Sequence, residues 1–407
     1  MSRTLAMILA GGEGRRLAPL TQTRSKPAVP FAGNMRIIDF VLNNFVNSDF
    51  LKIYVLTQFK SQSLSIHLGQ AWHLSGVTDN FIETVPAQMR MGKHWYEGTA
   101  DAIYQNIRFI GLHEPDNVCI FGGDHIYKMD VRQMVQYHEK QGADLTVCAT
   151  RMPIEEASRF GVITVDDNYR MIGFAEKPAN PTPLPDDPTM ALVSMGNYVF
   201  STAFLYQALE EDSRDAASSH DFGCDIIPNA YPKQKVYVYD FHQNKINNES
   251  HSTYWRDVGT LDTFWQTHMD LLVHDPKLLL SNPKWPLRSY HPPLPAAKIM
   301  ADEDGIDSLI QNSIIAAGCE IEGARVKRSV LGHAVLVSAK THIDESILLG
   351  KTRVGVGCRL RKVIADKGVT IEEGAHVGYD HQRDRARGLT VTDSGIVVIS
   401  KGATVKK

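Results

Sequence analysis

Gly11, Gly12 and Gly14 stand directly behind a short apolar run, residues 5–10, and are followed by Arg15, Arg16 and Lys26. Glycines let a backbone turn sharply and bring its N–H groups against an anion, and the two guanidinium groups and the ammonium add charge at the same place. The chemistry that suits this combination is phosphate binding; a glycine turn after a strand is otherwise a plain strand-to-helix connection. The lysine comes twelve residues after Gly14 and before Pro27, which is neither the Walker spacing nor the dinucleotide fingerprint. Hydride transfer and kinase chemistry are therefore disfavoured.

Further charged groups sit at strand ends. In the run 117–124, NVCIFGGD, a buried strand leads into two glycines and Asp124, at the carboxyl edge where open α/β sheets bind ligands. A carboxylate there can hold Mg²⁺, which takes oxygen ligands and joins one or two carboxylates to substrate phosphates. An isolated aspartate after glycines is equally suited to a turn or a helix cap. Asp257 in YWRDVGT is a second carboxylate for the ion, or the cap of a helix beginning near Asp262. In FAEKP, Lys177 is a compact charge on a flexible stem, suited to a phosphate monoester, with Glu176 beside it for sugar hydroxyls. The alternative is an exposed pair at a strand end. Trp95 and Tyr96 precede the Gly98-Thr99 turn, which also reads as a capped helix with a hydrophobic staple.

These groups need strands that deliver them to one edge. Apolar runs at 53–57, 118–121 and 145–149 suit buried parallel strands, and their alternation with helical patterns predicts an α/β domain over 1–275. Six of the nineteen prolines fall between Pro276 and Pro295, a density that stops helix and central strand alike, so 276–298 is predicted to be a linker. Over 299–407 aliphatic residues recur six apart: Ile315 and Ile321, Val330 and Leu336, Val354 and Leu360, Ile371 and Val377. With the weak repeats IAAGCEI, VGVGCRL and IEEGAHV, this predicts a parallel β-helix whose coils stack apolar residues inward; a small β-sandwich is the alternative.

At 407 residues, 43% hydrophobic and 22% charged, the chain is long enough for two domains with sizeable cores. A net charge of −3 provides no basic field for nucleic acid, so any anion site must be local. The apolar stretch before the glycines is too short for a signal peptide or a membrane span. Five scattered cysteines, none in a CxxC pair, argue against a disulfide framework or a zinc site and for a reducing cytoplasm.

The segments LAGGEGRRL, SKPAVPF, RIIDF, PAQMR, WYEGTADAIYQN, GGDHIYKMD, FGVI, AEKPANP, SMGNYVF, SSHDFG and YWRDVGT, in that order, resemble the bacterial glucose-1-phosphate adenylyltransferases, also called ADP-glucose pyrophosphorylases. The resemblance spans essentially the whole chain. It implies a Rossmann-like nucleotidyltransferase domain with a mostly parallel sheet, followed by a left-handed parallel β-helix, in a homotetramer. It also implies the reaction of ATP with glucose 1-phosphate to give ADP-glucose and pyrophosphate, the committed step toward bacterial glycogen or other α-glucans, under small-molecule allosteric control. By the same resemblance Asp124 and Asp257 bind Mg²⁺, and Arg16, Lys26 and the loop of Leu9, Gly11, Gly12 and Gly14 handle the triphosphate. Gln88 reads the base, with Gly98 and Thr99 close by. Tyr96, Gly161, Glu176, Lys177, Ser194 and Tyr198 take glucose 1-phosphate, with Asp221 and Trp255 near its hydroxyls. Gln58 and Trp95 match positions that couple regulation to catalysis. A sugar phosphate, with its second pKa at roughly 6, is already an anionic nucleophile at neutral pH and requires no general base.

The chain departs from the pattern of family members activated by fructose 1,6-bisphosphate. Thr23, Pro30 and Leu112 replace a lysine, a histidine and an arginine, while Arg24, Arg36 and Arg387 remain as anion ligands. Regulation by a smaller sugar phosphate such as fructose 6-phosphate, by another metabolite, or only weakly, is the expectation. Cys224 replaces a common lysine near the sugar site. The rival readings are a sugar nucleotidyltransferase using UTP, dTTP or GTP, and a non-catalytic regulatory subunit.

Overall fold

A computed structural model of the chain describes residues 2–74, 78–90, 92, 94–249 and 253–407. Four parallel strands form one half of the first sheet, in the spatial order Phe81–Pro86, Lys52–Thr57, Thr4–Leu9 and Asn117–Gly122. Leu5, Ala6, Met7 and Ile8 are all buried, as a strand covered on both faces requires. The long strand Met190–Ser201 runs antiparallel to these. One edge of it pairs with Leu145–Pro153 along its length; on the other edge, its second half pairs with Asn117–Gly122 and its first half with Gly161–Val165. The sheet forks between Ser194 and Tyr198, where the register shifts and Gly196 takes a positive φ of 70°. Two further pairings bring charge to the fork. Met171–Glu176 lies antiparallel to Gly161–Val165 with Glu176 opposite Gly161, and Trp255–Asp257 lies antiparallel to His125–Tyr127 with Asp257 opposite His125.

The proline-rich stretch is a strap rather than a free tether. Leu278 and Trp285 are buried, and Asn43 and Asn47 of the helix Ile37–Asn47 donate to the carbonyls of Arg288 and Pro286. Beyond it, short parallel strands stack into three sheets, led by Lys298–Met300, Leu309–Gln311 and Ile314–Ile315. This is a three-sided β-helix and not a sandwich. Of the residues six apart, Ile321, Val354, Leu360, Ile371 and Val377 are buried inside the coils, whereas Val330 is buried on the outer face, against the first domain. The sequence periodicity therefore reports the inward face of most coils, and misses it at Val330, where the neighbouring Leu331 is the inward residue.

The two halves share a core. Phe31, Phe40 and Phe264 pack with Val330, Ile347, Ile364 and Val398, and Trp265 Nε1 donates to the Glu345 carbonyl at 2.7 Å. His268, fully buried beside Phe31 and Phe264, holds this junction with both ring nitrogens: Nδ1 donates to the Phe264 carbonyl at 2.8 Å and Nε2 accepts from the Ala32 N–H at 3.1 Å. That pattern requires the neutral ring. Burial pushes its pKa down to about 4, against the raising effect of the Phe264 carbonyl. The unfolded chain takes up this proton near pH 6.5 and the folded chain only near 4, so the stability contributed above 6.5 is lost as pH falls through that window. The loss is of order 3 kcal/mol at its limit. Urea midpoints at pH 7 and pH 4.5 should fall further for the wild type than for His268→Gln; equal falls would show that this imidazole is not the group involved.

Candidate active site

A cleft of about 680 Å³ opens at the fork in the sheet. The glycine loop is pinned to it from both sides. The Ala10 N–H donates to the Leu56 carbonyl at 2.9 Å, and the Gly123 N–H donates to the Leu9 carbonyl at 3.0 Å. Gly123 has no space for a side chain, since a Cβ would lie 2.7 Å from Ile38 and 3.1 Å from Ile8. The GGD turn is thus pressed against the loop and carries Asp124 to it. Gly14 adopts φ 66° and ends the loop at the short 3₁₀ turn Arg15–Leu17, with Lys26 Cβ packed beneath it.

Lys26 joins the two carboxylates. Its buried ammonium lies 2.9 Å from Asp124 Oδ2 and 2.7 Å from Asp257 Oδ1. Burial pulls the Lys26 ammonium down, but Asp124 and Asp257 outweigh it and hold its pKa above the ordinary value. For Asp124, burial favours protonation, yet Lys26 and then His125 keep its carboxyl well below the usual range. Both groups are therefore charged at neutral pH. Neither aspartate is a helix cap: Thr260 caps the helix Leu261–Asp270, accepting from the Thr263 N–H, and Asp124 is followed by a strand. Arg16, exposed, reaches over Gly259, where a Cβ would stand 2.8 Å from Asp257 and 3.3 Å from Arg16 Nη2.

Across the cleft, Glu176 and Lys177 touch, and Lys177 takes a positive φ of 43° with its N–H bonded to the Phe160 carbonyl. Burial lowers and Glu176 raises the Lys177 pKa, and the carboxylate prevails. Gly161 is required here because a Cβ would fall 2.5 Å from the Phe174 ring and 3.0 Å from Glu176 Oε2. Thr99 and Asp221 are tied together at 2.9 Å, and Asp221 also accepts from the Gly223 and Cys224 N–H groups as the cap of Phe222–Ile226. Gly98 lets this cap approach, since its Cβ would overlap the His220 carbonyl at 2.1 Å. Trp255 is buried between His125 and Phe160, and its Nε1 has no partner among the described residues.

Of the residues singled out from sequence, Leu9, Gly11, Gly12, Gly14, Arg16, Lys26, Gln58, Tyr96, Gly98, Thr99, Asp124, Gly161, Glu176, Lys177, Ser194, Tyr198, Asp221, Trp255 and Asp257 all line this one cleft. Gln58 acts as a clamp, with its amide accepting from the Tyr96 N–H at 2.9 Å and donating to the Tyr96 carbonyl at 3.2 Å. Gln88 and Trp95 do not line it. Gln88 is exposed beyond Phe81–Pro86 and engages Arg90, while Trp95 stands half in solvent next to the clamped Tyr96. His125, Arg159, Phe160, Gly196 and Gly223 also line the cleft and were missed from sequence. For His125 the signal was its place after Asp124, but only the pairing with Asp257 reveals its surroundings.

The anion-ligand candidates have different partners. Arg24 is buried at the junction, its guanidinium bound to both Asp366 oxygens at 2.8 and 2.7 Å. Arg36 donates to Ser63, and burial, with Arg24 adding to it against Asp39, pushes its pKa down to about 10. Arg387 Nη1 donates to the His376 carbonyl at 3.0 Å, and its buried Nη2 has no partner among the described residues. The cation that accompanies Arg24 and Arg36 is Lys367, which burial, then Arg36 and Arg24, push down to about 8.

Comparison with known families gives two matches. A nucleotidyl transferase model matches residues 5–273, and a GlmU-like C-terminal hexapeptide model matches residues 295–399. Glucose-1-phosphate adenylyltransferase 1 of Vibrio parahaemolyticus is 56% identical over 405 residues, covering the whole of both chains. The glucose-1-phosphate adenylyltransferase of Photobacterium profundum is 56% identical over 406 residues, and that of Anaeromyxobacter sp. is 47% identical over 411, again over both full lengths.

Proposed function

This chain belongs to the glucose-1-phosphate adenylyltransferase family, whose reaction joins ATP and glucose 1-phosphate into ADP-glucose and pyrophosphate, and we propose that its cleft does so by charge neutralisation and in-line placement alone. The observation that carries this reading is the buried Lys26 ammonium shared by Asp124 and Asp257, at the mouth of a glycine loop and facing a second lysine across one cleft.

The glycine-loop amides, Arg16 and Lys26 take the triphosphate. Lys177 and Glu176 receive glucose 1-phosphate, with Tyr96, Ser194, Tyr198, Asp221 and Trp255 around the sugar; the unpartnered Trp255 Nε1 supports a hydroxyl acceptor there. Gln88, exposed just beyond Phe81–Pro86, is assigned to the base, and Trp95 to coupling through the adjacent clamped Tyr96. Family members use divalent metal ions, and Mg²⁺ is our assignment. Asp124 and Asp257 suit such an ion, because ligand atoms from Asp124, His125 and Asp257 lie within 4.8 Å of one another. When bound, the ion neutralises charge developing on the reacting phosphates. No residue is needed as a general base, since the sugar phosphate oxygen is already anionic at neutral pH.

Arg24, Arg36 and Lys367 at the domain junction form the site for an anionic effector. Asp366 is paired with Arg24, and the mutual repulsion of Arg24, Arg36 and Lys367 outweighs its effect on Lys367, which supports anion binding there. With Thr23, Pro30 and Leu112 contributing no phosphate ligand, a small sugar phosphate such as fructose 6-phosphate fits better than a bisphosphate. The assembly is a homotetramer in the cytoplasm. Exposed Ile299, Ile306 and Leu309 on the first coils support subunit contacts, and five free cysteines support a reducing compartment. Among the described residues no helix is long and apolar enough to cross a membrane.

The test is pyrophosphate release from glucose 1-phosphate with each nucleoside triphosphate and Mg²⁺. ATP should support the fastest turnover. Faster turnover with UTP, dTTP or GTP would overturn the adenylyl assignment.

A further inference from the structure

His125 lies beside the two acidic groups in both chain and space. It follows Asp124 directly and stands opposite Asp257 in the antiparallel ribbon. Its Nε2 is 3.6 Å from Asp124 Oδ1, too long for a hydrogen bond, and its Nδ1 is buried with no partner among the described residues. The side chain is only 15% exposed and rests against the Trp255 ring, centroid to centroid 5.1 Å. Gly122 and Gly196 keep the space around it open, since a Cβ on either would come within 4 Å of the imidazole. A polar ring held this deep, with neither nitrogen hydrogen-bonded, costs stability unless something completes it.

We propose that His125 is a third ligand, through a ring nitrogen, of the divalent cation held by Asp124 and Asp257; this rests on the cation reading above. The observed proximity of one ligand-capable atom from each residue, all within 4.8 Å, is what a single ion would bridge. A neutral imidazole adds a donor without adding negative charge, so the centre keeps its capacity to draw in phosphates. It also alters which ion binds best. An all-oxygen set suits Mg²⁺, whereas an imidazole nitrogen moves the preference toward Mn²⁺ and later first-row ions. Asp124, Asp257 and Lys26 then set the charge of the centre, and His125 sets its selectivity.

The experiment is Mn²⁺ titration of the full chain, without nucleotide, followed by electron spin-echo envelope modulation, which reads nitrogen bound directly to the ion. The wild type should show ¹⁴N coupling. His125→Gln, with an unchanged far-UV spectrum, should lose the coupling and bind Mn²⁺ roughly tenfold more weakly, the scale typical of lost metal-site contacts. Binding that depends on Asp124 but shows no ¹⁴N coupling overturns the ligand assignment alone. Mn²⁺ binding that Asp124→Asn leaves unchanged overturns the cation reading, and this assignment with it.

Discussion

Asp124→Asn should lower turnover by about a thousandfold or more while the protein stays folded, the scale seen when preorganised charge at a reacting centre is removed. The amide keeps the size of the carboxylate, so the tight turn made by Gly123 and the contact with the Leu9 carbonyl are undisturbed. What is lost is the negative charge that Lys26 chiefly holds ionised. Lys26 keeps its 2.7 Å contact to Asp257, so the ammonium is not left without a partner. Steady-state pyrophosphate release, read beside the thermal midpoint and far-UV spectrum, separates the two effects. Near-normal turnover in the variant would remove the cation from this position. The same assay on the unmodified chain alone distinguishes an enzyme from a non-catalytic regulatory subunit, which would release no pyrophosphate.

Lys177→Ala should raise KM for glucose 1-phosphate by roughly a hundredfold and leave KM for ATP within a few-fold, as expected where a charged hydrogen bond to one substrate is lost from ground and transition state alike. Lys177 faces the cleft from the far side, on a backbone fixed by its positive φ and its bond to the Phe160 carbonyl. Among the described residues nine strands separate it from the glycine loop in sequence, yet the same cavity holds both. Truncation leaves Glu176 without its ammonium, and this carboxylate then repels an incoming phosphate, adding to the effect. Equal rises in both Michaelis constants would mean that Lys177 does not discriminate between the substrates.

The motifs were legible because each is local. A glycine-rich turn after an apolar run, a carboxylate at a strand end and aliphatic residues six apart all express a backbone requirement within a few residues. The strands, the loop and the coils accordingly lie where those patterns put them, with Thr4–Leu9 and Asn117–Gly122 paired side by side. Alternatives that remained open in the sequence were settled by neighbours distant in the chain. Asp257 is not the cap of the following helix because Thr260 takes that place, and Asp221 has its own cap to hold as well as its position in the cleft. Arg387 gives one guanidinium nitrogen to its own coil and keeps a second, buried one without a partner among the described residues, whereas Lys367, unmarked by any motif, stands near Arg24 and Arg36.

By itself, then, the sequence determined the element types, the inward face of the β-helix and the residue types available for phosphate chemistry, since periodicity, glycine conformation and charge are properties of short segments. Only the tertiary structure decided that one ammonium is shared by carboxylates 133 positions apart, that a forked sheet opens the cleft, and that His125, with no hydrogen bond to its ring among the described residues, lies beside the acidic pair. Those arrangements depend on strand pairing between remote segments and on buried charges finding partners, and neither is encoded in any window of neighbouring residues.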